Sequence, residues 1–106
     1  MLSAAVFNTT FYVERQQADR FLSWLRLTYI PEALASGMIT DAMLMRLSEP
    51  PDPSAEAYAL HLRAENVSAA NDWINTIGHS LIGLLAEEIG RERLLHFTTP
   101  MEQIEI

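Results

Sequence analysis

The stretch Trp24-Leu25-Arg26-Leu27-Thr28-Tyr29-Ile30-Pro31-Glu32-Ala33-Leu34-Ala35-Ser36-Gly37 joins an amphipathic helix, a proline break and a glycine stop, and Met38 then opens an apolar-rich run. Phe21, Leu22, Leu25 and Thr28/Tyr29 recur at helical spacing with Arg20, Ser23 and Arg26 between them, which predicts an amphipathic helix over residues 16–28 whose stripe Trp24 widens. Pro31 lacks the N–H that would continue the ladder, but its fixed φ suits a first helical turn. Residues 31–36 therefore read as a short helix closed by Gly37, with a bend at the proline.

Around this unit the period changes from helical to two. In residues 5–13, Phe7, Thr9, Phe11 and Val13 share one face and Val6, Asn8, Thr10 and Tyr12 the other. In residues 38–47, Asp41, Met43, Met45 and Leu47 oppose Thr40, Ala42, Leu44 and Arg46. In residues 55–65, Tyr58, Leu60, Leu62 and Ala64 oppose Ala57, Ala59, His61 and Arg63. The proline-rich segment Ser48-Glu49-Pro50-Pro51-Asp52-Pro53-Ser54 reads as the connection between these two strands. Ser68 is the expected N-cap of a second long helix, whose stripe of Trp73, Ile74, Ile77, Leu81, Leu84 and Leu85 ends near Gly90 and is weakened slightly by Gly78 and Gly83. Residues 93–99 supply a fourth strand, stopped by Pro100. Ile104 and Ile106, two apart, predict a tail that adds as an extra edge strand against a partner or its own sheet.

The order strand, helix, strand, strand, helix, strand predicts an α+β, ferredoxin-like βαββαβ fold: a four-stranded antiparallel sheet, first and third strands central, both helices on one face. The other face, with Val6, Tyr12, Leu44, Ala57 and Ala59, is too apolar to leave wet, so a homodimer that covers it, in the manner of a dimeric α+β barrel, is expected. A chain of 106 residues suits one domain. Seven basic residues, all arginine, against 14 acidic ones give a net charge of −7, which disfavours nucleic acid and anionic membrane as partners. Without cysteine there is no disulfide, thiol nucleophile or thiolate metal site. Residues 1–13 have neither a basic region nor an unbroken apolar run, so a soluble, cytoplasmic protein is the expectation.

No constellation demands one reaction, and no metal or cofactor is expected. The three histidines, His61, His79 and His96, fall in three elements. His61 is expected on the open face near Asn8, Thr10 and Arg46, a polar island that would hold a small polar or anionic ligand with Arg46 as carboxylate clamp. The same groups would equally satisfy one another across a dimer interface. An enzyme reading, an isomerase or cofactor-independent oxygenase, would use His61 with Arg46 and Asn8; a haem-binding reading would need His61 or His96 as axial ligand. His79 has no carboxylate or histidine one turn away to complete a metal pair. Glu87, Glu88, Arg91, Glu92 and Arg93 read as a solvated face, and Trp24 and Trp73 as core fillers. There is no glycine-rich phosphate cradle and no nucleophile elbow.

Phe7-Asn8-Thr9-Thr10-Phe11-Tyr12-Val13, Trp24-Leu25, the run from Ile30 to Gly37, Ala42-Met43-Leu44-Met45-Arg46-Leu47 and Tyr58-Ala59-Leu60 together resemble the domain of unknown function 4286 family. Many members carry histidine where this chain has Tyr29. The resemblance implies a small bacterial ferredoxin-like protein similar to the dimeric α+β barrel group, and implies no particular activity.

Overall fold

The two-residue alternation builds the sheet directly. The computed structural model describes residues 4–50 and 52–106. Strand β1 (Ala5–Glu14) buries Ala5, Phe7, Thr9, Phe11 and Val13 and leaves the intervening residues half-buried. It lies between β3 (Ala55–Ala64) and β4 (Leu94–Glu102), and β2 (Ile39–Arg46) completes the antiparallel order β2-β3-β1-β4. This is the expected ferredoxin-like α+β arrangement, with the first and third strands central.

The helical layer departs from expectation in two places. A 3-10 turn (Arg15–Gln17), α1 (Ala18–Trp24), a π turn (Leu25–Tyr29) and α2 (Ile30–Ala35) follow one another without a break. Pro31 has no N–H for the carbonyl four residues back and its ring needs room there; the wider π turn just ahead of it absorbs both demands, so the helix widens at Pro31 and does not stop. Gly37, at φ 79°, then ends α2 as anticipated.

The second long helix is two. Asn66, not Ser68, caps α3 (Val67–Asn75), its Oδ1 accepting the Ala69 N–H at 2.9 Å. At Thr76 the backbone leaves the helical region (φ −121°, ψ −96°), and the threonine hydroxyl donates to the Asp72 carbonyl at 2.6 Å. Helix α4 (Ile77–Ile89) restarts at once and ends at Gly90, φ 107°. The fourth strand also runs further than expected: Pro100 lies within β4, opposite Phe7, and the pairing continues beyond it, with the Gln103 N–H donating to the Ala4 carbonyl at 2.9 Å. The tail thus prolongs β4 along its own sheet, while Ile104 and Ile106 remain exposed.

Between sheet and helices lies a chain of aromatic rings. Trp73 meets Phe7 (5.4 Å between centroids) and Tyr29 (6.2 Å), Tyr29 meets Phe11 (6.5 Å), and Phe11 leads through Phe21 (5.0 Å) to Tyr58 (5.3 Å). All six are buried, each worth roughly 1.5–3 kcal/mol by transfer from water, with about 0.5–1.5 kcal/mol more for each well-placed pair. Trp73 is core, as expected; Trp24 is half-buried against the same cluster. The acidic run at the end of α4 is solvated, with Glu88 bridging to Arg20 at 3.0 Å and Glu87 to Arg91 at 3.6 Å.

The two α4 glycines differ in kind. A Cβ on Gly78 would stand 2.5 Å from Trp73 Cζ3, whereas one on Gly83 would meet nothing within 4 Å. Gly78→Ala should destabilise by about 1–3 kcal/mol through overpacking, and Gly83→Ala should stabilise by about 0.5–1 kcal/mol through lost unfolded-state freedom. Urea unfolding of the two variants should move the midpoint in opposite directions.

Candidate functional site

The face of the sheet away from the helices is organised by register. Reading across β2, β3, β1 and β4, one row holds Met45, Ala59, Thr10 and Phe97; the next Met43, His61, Asn8 and Thr99; the third Asp41, Arg63, Val6 and Met101. Asn8 and His61 are direct cross-strand partners, and Asn8 Nδ2 donates to Thr10 Oγ1 at 2.8 Å. Asn8 Oδ1 is buried and has no partner among the described residues. Three of the four expected site residues, Asn8, Thr10 and His61, are therefore brought together.

Arg46 is not. Its cross-strand partner is Tyr58, on the helix side, and its guanidinium lies 5.5 Å from the Tyr58 ring centroid and 3.9 Å from Glu56 Oε2. Leu44 likewise pairs with Leu60 and packs on the core, so it does not belong to the open face. A β-bulge between Ile39 and Asp41 sets this phase, sending Asp41, Met43 and Met45 to the open side. The arginine next to His61 is Arg63, two residues along β3 on the same face. Val6, Asp41, Met43, His61 and Arg63, with Ala42, line a pocket of about 140 Å³. Arg63 Nη1 also donates to Gln103 Oε1 at 2.7 Å, which draws the tail to the pocket rim. The alternation that put His61 and Arg63 on one face of the third strand was the available signal for this residue.

Around the polar pocket the face is apolar and wet: Met43, Leu95, Phe97 and Met101 are 56, 61, 55 and 41 % exposed. Phe97 leans on Tyr12 with centroids 5.9 Å apart. The other two histidines lie elsewhere. His79 is on α4, and His96 of β4, opposite Phe11, belongs to the helix side of the sheet. His61 and His96 therefore cannot serve one bound group. Among the described residues no helix is long and apolar enough to cross a membrane, and no three His, Asp or Glu side chains converge as a metal set.

The chain belongs to the family described as Domain of unknown function (DUF4286), whose model matches residues 4–104. No curated protein matches it significantly. Among solved structures it is similar to a conserved protein from Methanosarcina mazei Go1 (13% identity, 97% of this chain and 95% of that one, TM-score 0.73). It is also similar to a putative antibiotic biosynthesis monooxygenase from Bordetella bronchiseptica (12% identity, 98% of each chain, TM-score 0.69). A third is a dimeric ferredoxin-like protein from an uncultured marine organism (7% identity, 98% of each chain, TM-score 0.62). At these identities the likeness is one of fold.

Burial lowers the pKa of His96 from its ordinary value of 6.5. Between the lowered value and 6.5 the unfolded chain binds more protons than the folded one, so this contribution to stability is fully present above 6.5 and is lost as pH falls through the folded value. His96→Gln should therefore show a smaller drop in Tm than the parent when pH is lowered from about 7.5 to about 5. Parallel curves for the two proteins would contradict this assignment.

Proposed function

We propose that this member of the DUF4286 family works as a homodimer whose open sheet faces pack together and enclose the His61 pocket. There a small polar or anionic molecule is bound without being chemically transformed. The observation that carries the reading is the coincidence, on one face, of four large exposed apolar side chains around a polar centre. Water is a poor solvent for such a patch, and an identical patch on a second copy is the self-complementary cover that a two-fold axis provides. The dimeric ferredoxin-like structure of the same fold supports it.

Within the covered space Arg63 supplies a guanidinium for a carboxylate or similar group, and Asn8, Thr10 and His61 supply hydrogen-bonding partners of both kinds. Asn8 Oδ1, buried and unpartnered in the single chain, would find a donor there. Asp41 beside Arg63 limits how much negative charge the pocket takes, which favours a small, singly charged or neutral polar molecule.

Native mass spectrometry of protein from its own host should show a species of twice the 12.0 kDa chain mass carrying a reproducible adduct. Arg63→Ala should remove the adduct and leave the dimer. Phe97→Glu, which places a charge in the apolar patch, should give a folded monomer by circular dichroism and light scattering. A monomeric parent at micromolar concentration would overturn the dimer, and a clean dimer without adduct would overturn the ligand.

A further inference from the structure

On the opposite side of the sheet, α4 and β4 part to leave a second cleft of about 140 Å³. Its apolar walls are Phe7, Trp73, Ile74 and Ile82. Its polar groups are Tyr29, His79, His96 and Thr98, one or more from each of the π turn, α4 and β4. Three departures from regular helix shape this space. The π turn ends at Tyr29, the chain breaks at Thr76, and Gly78 lets the backbone of α4 lie against the Trp73 ring. Irregular helical turns of this kind gather where a side chain has to be presented. The Thr98 hydroxyl is held by Thr9 Oγ1 at 3.0 Å, and Thr9 is itself a buried polar residue in the central strand.

The chemistry of the lining differs from that of the open-face pocket. No carboxylate and no guanidinium borders it. Tyr29, 1% exposed, is an uncharged phenol whose pKa burial raises further, and burial favours the neutral form of His96 as well. An anion would enter without a counter-charge. A neutral molecule with one hydroxyl or carbonyl would find aromatic and branched aliphatic walls and at least one donor and one acceptor. The volume sets its size, since a cavity of about 150 Å³ takes one benzene-sized ring.

We infer that this cleft is a binding site for a neutral, single-ring aromatic molecule bearing a hydroxyl group, held edge-on by Tyr29 and His96 between Trp73 and Ile82. It is independent of the open-face pocket, shares no residue with it, and stands whether or not that pocket holds a ligand.

The probe is phenol, followed by the indole N–H signals of ¹⁵N-labelled protein, with Trp24→Phe identifying which of the two belongs to Trp73. Phenol should shift the Trp73 signal saturably. His96→Leu should weaken phenol by about five-fold, the loss of one neutral hydrogen bond, and leave benzene unchanged. Ile82→Phe, which fills the cleft, should abolish both while His61→Ala changes neither. Absence of a saturable shift, benzoate binding as tightly as phenol, or full phenol affinity in folded Ile82→Phe would each overturn the assignment.

Discussion

The line of rings from Trp73 through Tyr29, Phe11 and Phe21 to Tyr58 is the contact on which the rest of the molecule depends. It is assembled from every layer: Phe11 and Tyr58 from the two central strands, Phe21 from α1, Tyr29 from the π turn and Trp73 from α3. Such pairs prefer offset-stacked or edge-on geometry, which ties the helix axes to the sheet more tightly than aliphatic packing alone. The irregular helical segments are the means by which these rings meet. Pro31 forces a wider turn that delivers Tyr29, and the break at Thr76 with the bare backbone of Gly78 makes room for the indole.

Much of this was legible in the residues. Period-two alternation in residues 5–13 and 55–65 correctly sorts Phe7, Phe11, Leu60 and Leu62 from Asn8, Thr10 and His61, because both strands are central and one face of each is fully buried. What alternation cannot report is the phase of a strand across a bulge. β2 is an edge strand with exposed residues on both sides, and its bulge at Ile39/Asp41 decides that Arg46 turns to Tyr58 and not to His61. The alternation therefore places Asn8, Thr10 and His61 on one face, as β1 and β3 have them, but puts Arg46 there in place of Arg63. The break at Thr76 is silent in the sequence for a related reason. It has no Gly or Pro beside it, and its effect comes from a hydroxyl competing for the Asp72 carbonyl.

The two faces of one sheet carry opposite chemistry in similar volumes. The open face has a guanidinium, a carboxylate and an amide in an apolar surround exposed to water. The helix side has uncharged donors and acceptors against aromatic walls. This division follows from burial. Charged groups are tolerated where solvent or a second copy can meet them, and excluded where the core supplies only rings and aliphatic carbon.

Pro100 bears on how such a sheet is permitted to grow. Because the Gln103 N–H bonds the Ala4 carbonyl, the narrow and wide pairs alternate so that Pro100 stands opposite Phe7 in a non-hydrogen-bonded pair, with its nitrogen turned outward. It costs the ladder nothing, yet it removes a donor from the outer rim of β4. The opposite rim, β2, is interrupted by its bulge. Both flanks are thus poor templates for an added strand, so lateral polymerisation into a continuous ribbon is discouraged. What the sheet leaves uncovered for contact is its broad apolar face, which has no rim of unpaired strand donors and acceptors to extend.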